Sequence, residues 1–142
     1  MRIVLDTDVV VRALRRPNSA SAALVEAALD GRVTLLASPA LGLEYEAVCL
    51  RPEHVKAASL QPLQVEAFLD GLAHIVEPVR IHFAWRGFLP DANDDLVLEA
   101  VLNAGADALV TFNRRHFEEA AVQFGLRLAL PSDILTDLEK LE

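Results

Sequence analysis

Residues 2–14 read RIVLDTDVVVRAL, and the fold class turns on Ile3-Val4-Leu5 at the start of that stretch. Three apolar residues without polar alternation are the pattern of a strand covered on both faces. The run is cut by Asp6-Thr7-Asp8, and Asp6 is suited to cap a helix starting near Val9. Outward from there the alternation repeats. Asn18 or Ser19 caps a helix from about Ala20 to Asp30, with Gly31 placed to end it. VTLLA at 33–37 is a second buried strand. Ser38-Pro39 supplies a cap and a first-turn proline for a helix that must stop before Pro52. Gln61-Pro62 opens another, with Val65, Phe68, Leu69 and Leu72 on one face. Asp94-Asp95 begin a helix that runs to Gly105, and Ala108 to Thr111 form a further strand. Beyond a polar stretch, Arg127 to Leu130 make a last strand and Pro131-Ser132 a terminal helix start. Strands alternating with helices predict an α/β fold with a mainly parallel sheet covered on both faces. No repeat or linker divides it, so one domain over 1–142 is expected.

The chain has 142 residues, 53% of them hydrophobic, enough for one substantial core. A mean hydropathy of +0.30 leaves apolar surface for a partner. The net charge of −8 argues against a module that binds nucleic acid by charge alone. It does not argue against a nuclease, because acids that hold divalent cations add negative charge the metal later offsets. Cys49 is the only cysteine, which excludes an intramolecular disulfide and fits a reducing compartment. The opening apolar run is too short for a secretory leader and no run is long enough to span a bilayer. A cytoplasmic protein is expected.

Some acids occupy places where acids are costly. In an open parallel sheet, ligands bind outside the carboxyl ends of the strands. Two strands end in polar residues there: one runs into Asp6-Thr7-Asp8, the other toward Asn113. Glu44 is the second oddity. Leu41, Tyr45 and Val48 form an inward stripe, and Glu44 falls at the i+3 position of it. A carboxylate facing a core must be paired or coordinate a metal. An ion pair with Arg12 or Arg51 and a metal site are both open for it. Asp94 and Asp95 are the third. First-turn acids are favoured by the helix dipole alone, yet with Asp6 and Glu44 they give carboxylates on three separate elements. Hard cations such as Mg²⁺ and Mn²⁺ use that ligand type. His54, His74, His82 and His116 are scattered and offer no zinc spacing.

These segments resemble the PIN-domain family, in particular its toxin components of bacterial toxin–antitoxin pairs. IVLDTDVVVRAL is similar to that family's strand followed by D-T-N-hydrophobic. SPALGLEYEAVCLRPEHV resembles the block with an inward Glu, and PDANDDLVLEAVLNAGADALVTFN the blocks in which an Asp opens a helix and a strand ends in T-x-D or T-x-N. The likeness is collinear over nearly the whole chain. It implies a three-layer α/β/α fold and an acidic pocket that uses Mg²⁺ or Mn²⁺ to cleave single-stranded RNA. Carried over by position, Asp6, Glu44, Asp95 and Asn113 would be the catalytic set. Asp6 and Asp95 would ligate metal, Glu44 would do so directly or through water, and Asp94 would support or replace Asp95. Arg114, Arg115 and Arg15 are placed to contact RNA. The resemblance also implies a cognate antitoxin covering the pocket and a homodimer. Three positions depart from the family pattern. Asp8 stands where Asn is usual, Asn113 where many members carry Asp, and His116 where an acid is commoner. The Asn113 departure removes a charge and weakens a second metal.

Two other readings compete. Asp6-Thr7-Asp8-Val9-Val10 also matches the opening of haloacid-dehalogenase-like phosphatases, but those need a phosphate-binding Lys, and Lys56 and Lys140 follow no strand. A PIN fold that has lost turnover and only binds antitoxin or RNA is the stronger rival, motivated by Asn113.

Overall fold

The computed structural model describes residues 1–84 and 87–141. Strand β1 (Arg2–Leu5) is central, and Ile3, Val4 and Leu5 are buried on both of its faces. It pairs in parallel with β2 (Thr34–Ala37), Ile3 opposite Leu35, and with β4 (Ala108–Val110), Leu5 opposite Val110. Two short parallel strands complete the sheet: β3 (Glu77–Pro78) beside β2 and β5 (Leu128–Ala129) beside β4, in the order β3-β2-β1-β4-β5. Successive strands lie on one side of β1 until β3, after which the chain crosses to the other side. Right-handed crossovers in opposite directions put helices on both faces, giving the layered α/β architecture the strand–helix alternation predicts.

Helix α1 (Thr7–Arg15) follows β1 directly, capped by Asp6, with Val9, Val10, Ala13 and Leu14 turned inward. Helix α2 (Ala20–Leu29) starts at the Ser19 hydroxyl, which accepts the Ala22 amide at 3.2 Å, and Gly31 beyond its end has φ 76°. Ser38 and Pro39 open α3 (Pro39–Cys49), with Leu41, Tyr45 and Val48 buried as the stripe predicts. Gln61-Pro62 opens α5 (Pro62–Ile75). Helix α6 (Ala92–Ala104) starts at Asp91 and stops at Gly105, whose φ of 61° a Cβ would penalise. Helix α8 (Pro131–Lys140) closes the chain against α2.

Three elements are additions to the sequence reading. Helix α4 (Pro52–Ala57) buries no side chain fully and meets the core through half-buried Val55, and β3 is two residues long. The polar stretch after β4 is helix α7 (Arg114–Phe124), buried only through Phe117 and Ala120. No described helix is long and apolar enough to cross a membrane.

Candidate active site

The crossing of the chain from one side of β1 to the other creates a crevice at the carboxyl ends of β1 and β4, the place where open α/β sheets bind ligands. Asp6 stands at its floor. Its amide donates to the Val110 carbonyl at 2.9 Å, so the backbone is fixed by the sheet itself. Its carboxylate accepts the Thr7 amide at 2.8 Å and the Thr111 hydroxyl at 2.7 Å. Only 5% of Asp6 is exposed. Burial raises its pKa above the usual carboxylate value, and the bonds from Thr111 and Thr7 offset part of that rise. Beneath it the Tyr45 hydroxyl donates to the Leu5 carbonyl, tying α3 to the strand end.

Asp8 lies in the first turn of α1. One oxygen accepts the Phe112 amide and the Asn113 side-chain amide, each at 3.1 Å. The other oxygen is buried without a hydrogen-bond partner. Burial first, and the charge on Asp6 second, push its pKa up to about 7. Asp94, from the start of α6, faces the same field. Burial raises its pKa, Asp6 raises it further, and His116, whose Nδ1 lies 2.9 Å from the carboxylate, opposes the rise. The charge of Asp6 thus raises the pKa of both Asp8 and Asp94.

Asp95 is turned elsewhere. Adjacent helical residues point about 100° apart, and its two oxygens accept the Gly87 and Leu89 amides, each at 2.9 Å. It anchors the loop before α6, which Asn103 grips from the other end of the helix through His82 and Phe83. Glu44 is half-buried on α3 and makes no hydrogen bond or ion pair among the described residues. Neither of its suggested arginine partners holds it. The Arg12 guanidinium instead lies over the Phe112 ring, 4.9 Å from the centroid. Asn113, Arg114 and Arg115 are exposed at the start of α7, and Arg15 is exposed on α1.

Of the residues singled out in the sequence, the fold thus gathers Asp6, Asp94 and Asn113 with Asp8, keeps Glu44 on a neighbouring helix, and commits Asp95 to a loop. Thr111 escaped the sequence reading except as a strand end, although a hydroxyl just after a buried strand, opposite another strand's terminal Asp, is a usable signal. The donor set suits a hard divalent cation: oxygen ligands, crowded carboxylates with raised pKa values, and one buried carboxylate oxygen lacking a partner. Among the described residues no three acid, His or Cys side chains stand around one ion-sized point.

No curated protein matches the chain. The family model described as PIN domain matches residues 2–115, which include every acid of the pocket, Asn113 and the strands that carry them. PIN domains are in general nucleases and typically use divalent metal ions. The match and the crevice agree: this chain belongs to the PIN-domain family.

Proposed function

We propose that the chain is a Mg²⁺- or Mn²⁺-dependent endoribonuclease acting on single-stranded RNA in the cytoplasm, and the toxin of a toxin–antitoxin pair. The observation that carries the nuclease reading is the crowding of Asp6, Asp8 and Asp94, with an unpartnered buried oxygen on Asp8, at the crevice beside β1 and β4. In this reading these three acids hold the metal, with Glu44 reaching it directly or through water. When bound, the ion lowers the pKa of a water and offsets charge on the phosphate. Thr111 and the Thr7 amide keep the Asp6 carboxylate aimed, and the Asn113 amide does the same for Asp8. The overall reaction would be hydrolysis, a water oxygen bonding to phosphorus as one ester P–O bond breaks. Where Glu44 acts through water it would accept that water's proton, and the leaving oxygen would take one from solvent. Asp95 acts indirectly, by holding residues 87–89 beside the pocket.

The toxin role is supported by the collinear motifs. The experiment is incubation of the purified chain with labelled single-stranded RNA and Mn²⁺, Mg²⁺ or EDTA, with Asp6→Asn alongside. Cleavage that needs metal and drops by ~100-fold or more in the variant is the expected result. A second reading, a PIN domain that binds without cutting, is favoured by Asn113, which brings a neutral amide to Asp8. A folded wild type that cleaves nothing with either metal, yet binds RNA, would select it.

A further inference from the structure

The two flanks of the acidic pocket differ in charge. On one side a groove of about 620 Å³ between α1 and α4 carries Arg12, Arg15, Arg16 and His54, with Asp8 at its inner end and Phe112 beside it. On the other a cleft of about 780 Å³ holds Arg115 and His116, but also Asp91, Glu118 and Glu119 besides Asp94. Resting on the reading of the chain as an RNA nuclease, we propose that the substrate strand is gripped on the α1–α4 flank alone. The phosphates lie along Arg12, Arg15 and Arg16, and the base next to the scissile phosphate stacks on the Phe112–Arg12 pair.

Arg12 and Arg15, three residues apart, share one face of α1, and Arg16 follows at its extended C-cap, so that all three line the groove. All three are exposed, and none pairs with a carboxylate among the described residues. Among the described residues Arg15 hydrogen-bonds only to the His54 ring, Nη1 to Nδ1 at 3.4 Å. In a molecule of net charge −8 a groove carrying three arginines and ending at the acids focuses the strand there. The groove volume lies within the range of about 300–1,000 Å³ that encloses a compact ligand, here a nucleotide. Phe112 is 39% exposed, and both its ring and a guanidinium plane accept an unpaired base. Its amide donates to Asp8, so platform and pocket are fixed relative to each other. A duplex has no free base for the platform.

The test uses the full chain carrying Asp6→Asn in EDTA, so that labelled single-stranded RNA is bound and not cut, read by fluorescence anisotropy over a salt series. Arg15→Ala with Arg16→Ala weakens binding roughly tenfold and flattens the log–log salt slope by about 0.7 for each phosphate no longer neutralised. Arg115→Ala costs less than half as much in log affinity. Phe112→Ala weakens binding to RNA but not to a strand lacking bases, and thermal unfolding of all variants stays within a few degrees of the parent. Equal losses from the two flanks, or a Phe112→Ala effect that persists without bases, overturn the proposal. So does unchanged affinity in the arginine pair while the wild type still cuts RNA, which leaves the nuclease reading standing and assigns the groove to another partner, such as an acidic protein segment. A wild type that neither binds nor cuts RNA removes both.

Discussion

Asp8 carries the strongest conflict between folding and charge in the pocket. An unfolded chain releases this proton near the ordinary carboxylate pKa, whereas in the fold burial and Asp6 push the group up to about 7. Between those values the native state binds a proton that the unfolded state has lost. Stability from this group is therefore greatest at low pH and declines as pH rises through 7. In EDTA the melting temperature of the wild type is expected to fall more between pH 5 and pH 8 than that of Asp8→Asn, which keeps an oxygen for the Phe112 amide. Added Mn²⁺ should raise the wild-type melting temperature more at pH 8 than at pH 5, because the proton competes with the cation for the same oxygens. Parallel pH profiles for the two proteins in EDTA would mean that Asp8 is not the group that titrates. The lone Cys49 differs in kind. Burial raises its thiol to about 11, so it is a core residue with little thiolate at neutral pH.

The start of α6 divides its acids by direction, and that division can be measured. Asp91 caps the helix by accepting the Asn93 amide at 2.9 Å, Asp94 faces the pocket, and Asp95 holds the preceding loop. Asp95→Asn leaves one loop amide without its acceptor, a loss of about 1–3 kcal/mol in stability, and faster proteolysis around residues 87–90 is expected. Asp94→Asn relieves repulsion with Asp6, so its stability in EDTA should hold or rise while the thermal shift caused by Mn²⁺ shrinks. If Asp95→Asn instead removes the metal-induced shift at unchanged stability, the roles are reversed. This choice was not legible in the sequence, because helical periodicity sets the angle between Asp94 and Asp95 but not which of them meets the crevice. Ser38-Pro39, Gln61-Pro62 and Gly105 did mark element ends, since each acts through local backbone chemistry. Helix α7 was hidden because only Phe117 and Ala120 need burial among many charges. Thr111 on Asp6 joins residues 105 apart, and Tyr45 on Leu5 residues 40 apart. Such pairs appear only once the sheet brings strand ends together.

At the scale of the whole molecule, the family match ends at residue 115, but the sheet and core do not. Strand β5 pairs with β4, and the Thr111 amide donates to the Ala129 carbonyl at 3.0 Å. The residue that grips Asp6 is thus itself held by a segment outside the match. Helix α8 covers that side through Ile134 and Leu138, both buried, and packs on α2. The segment beyond the match then serves the pocket through two separable effects, stability and the alignment of Thr111. Ile134→Ala opens a cavity in the core without touching β5 pairing, so it should lower stability by about 2–5 kcal/mol. That corresponds to a fall of roughly 2–4 °C in melting temperature for each kcal/mol in a chain of this size. RNA cleavage per folded molecule should be unchanged below that temperature. A chain ending at residue 125 loses β5 and α8 together, exposing the β4 edge and the face of α2. It should show no cooperative unfolding transition by circular dichroism or calorimetry. A truncated chain that melts cooperatively and still cuts RNA would make the C-terminal segment an accessory. An Ile134→Ala protein that loses cleavage while folded would mean that α8 positions the pocket as well as stabilising it.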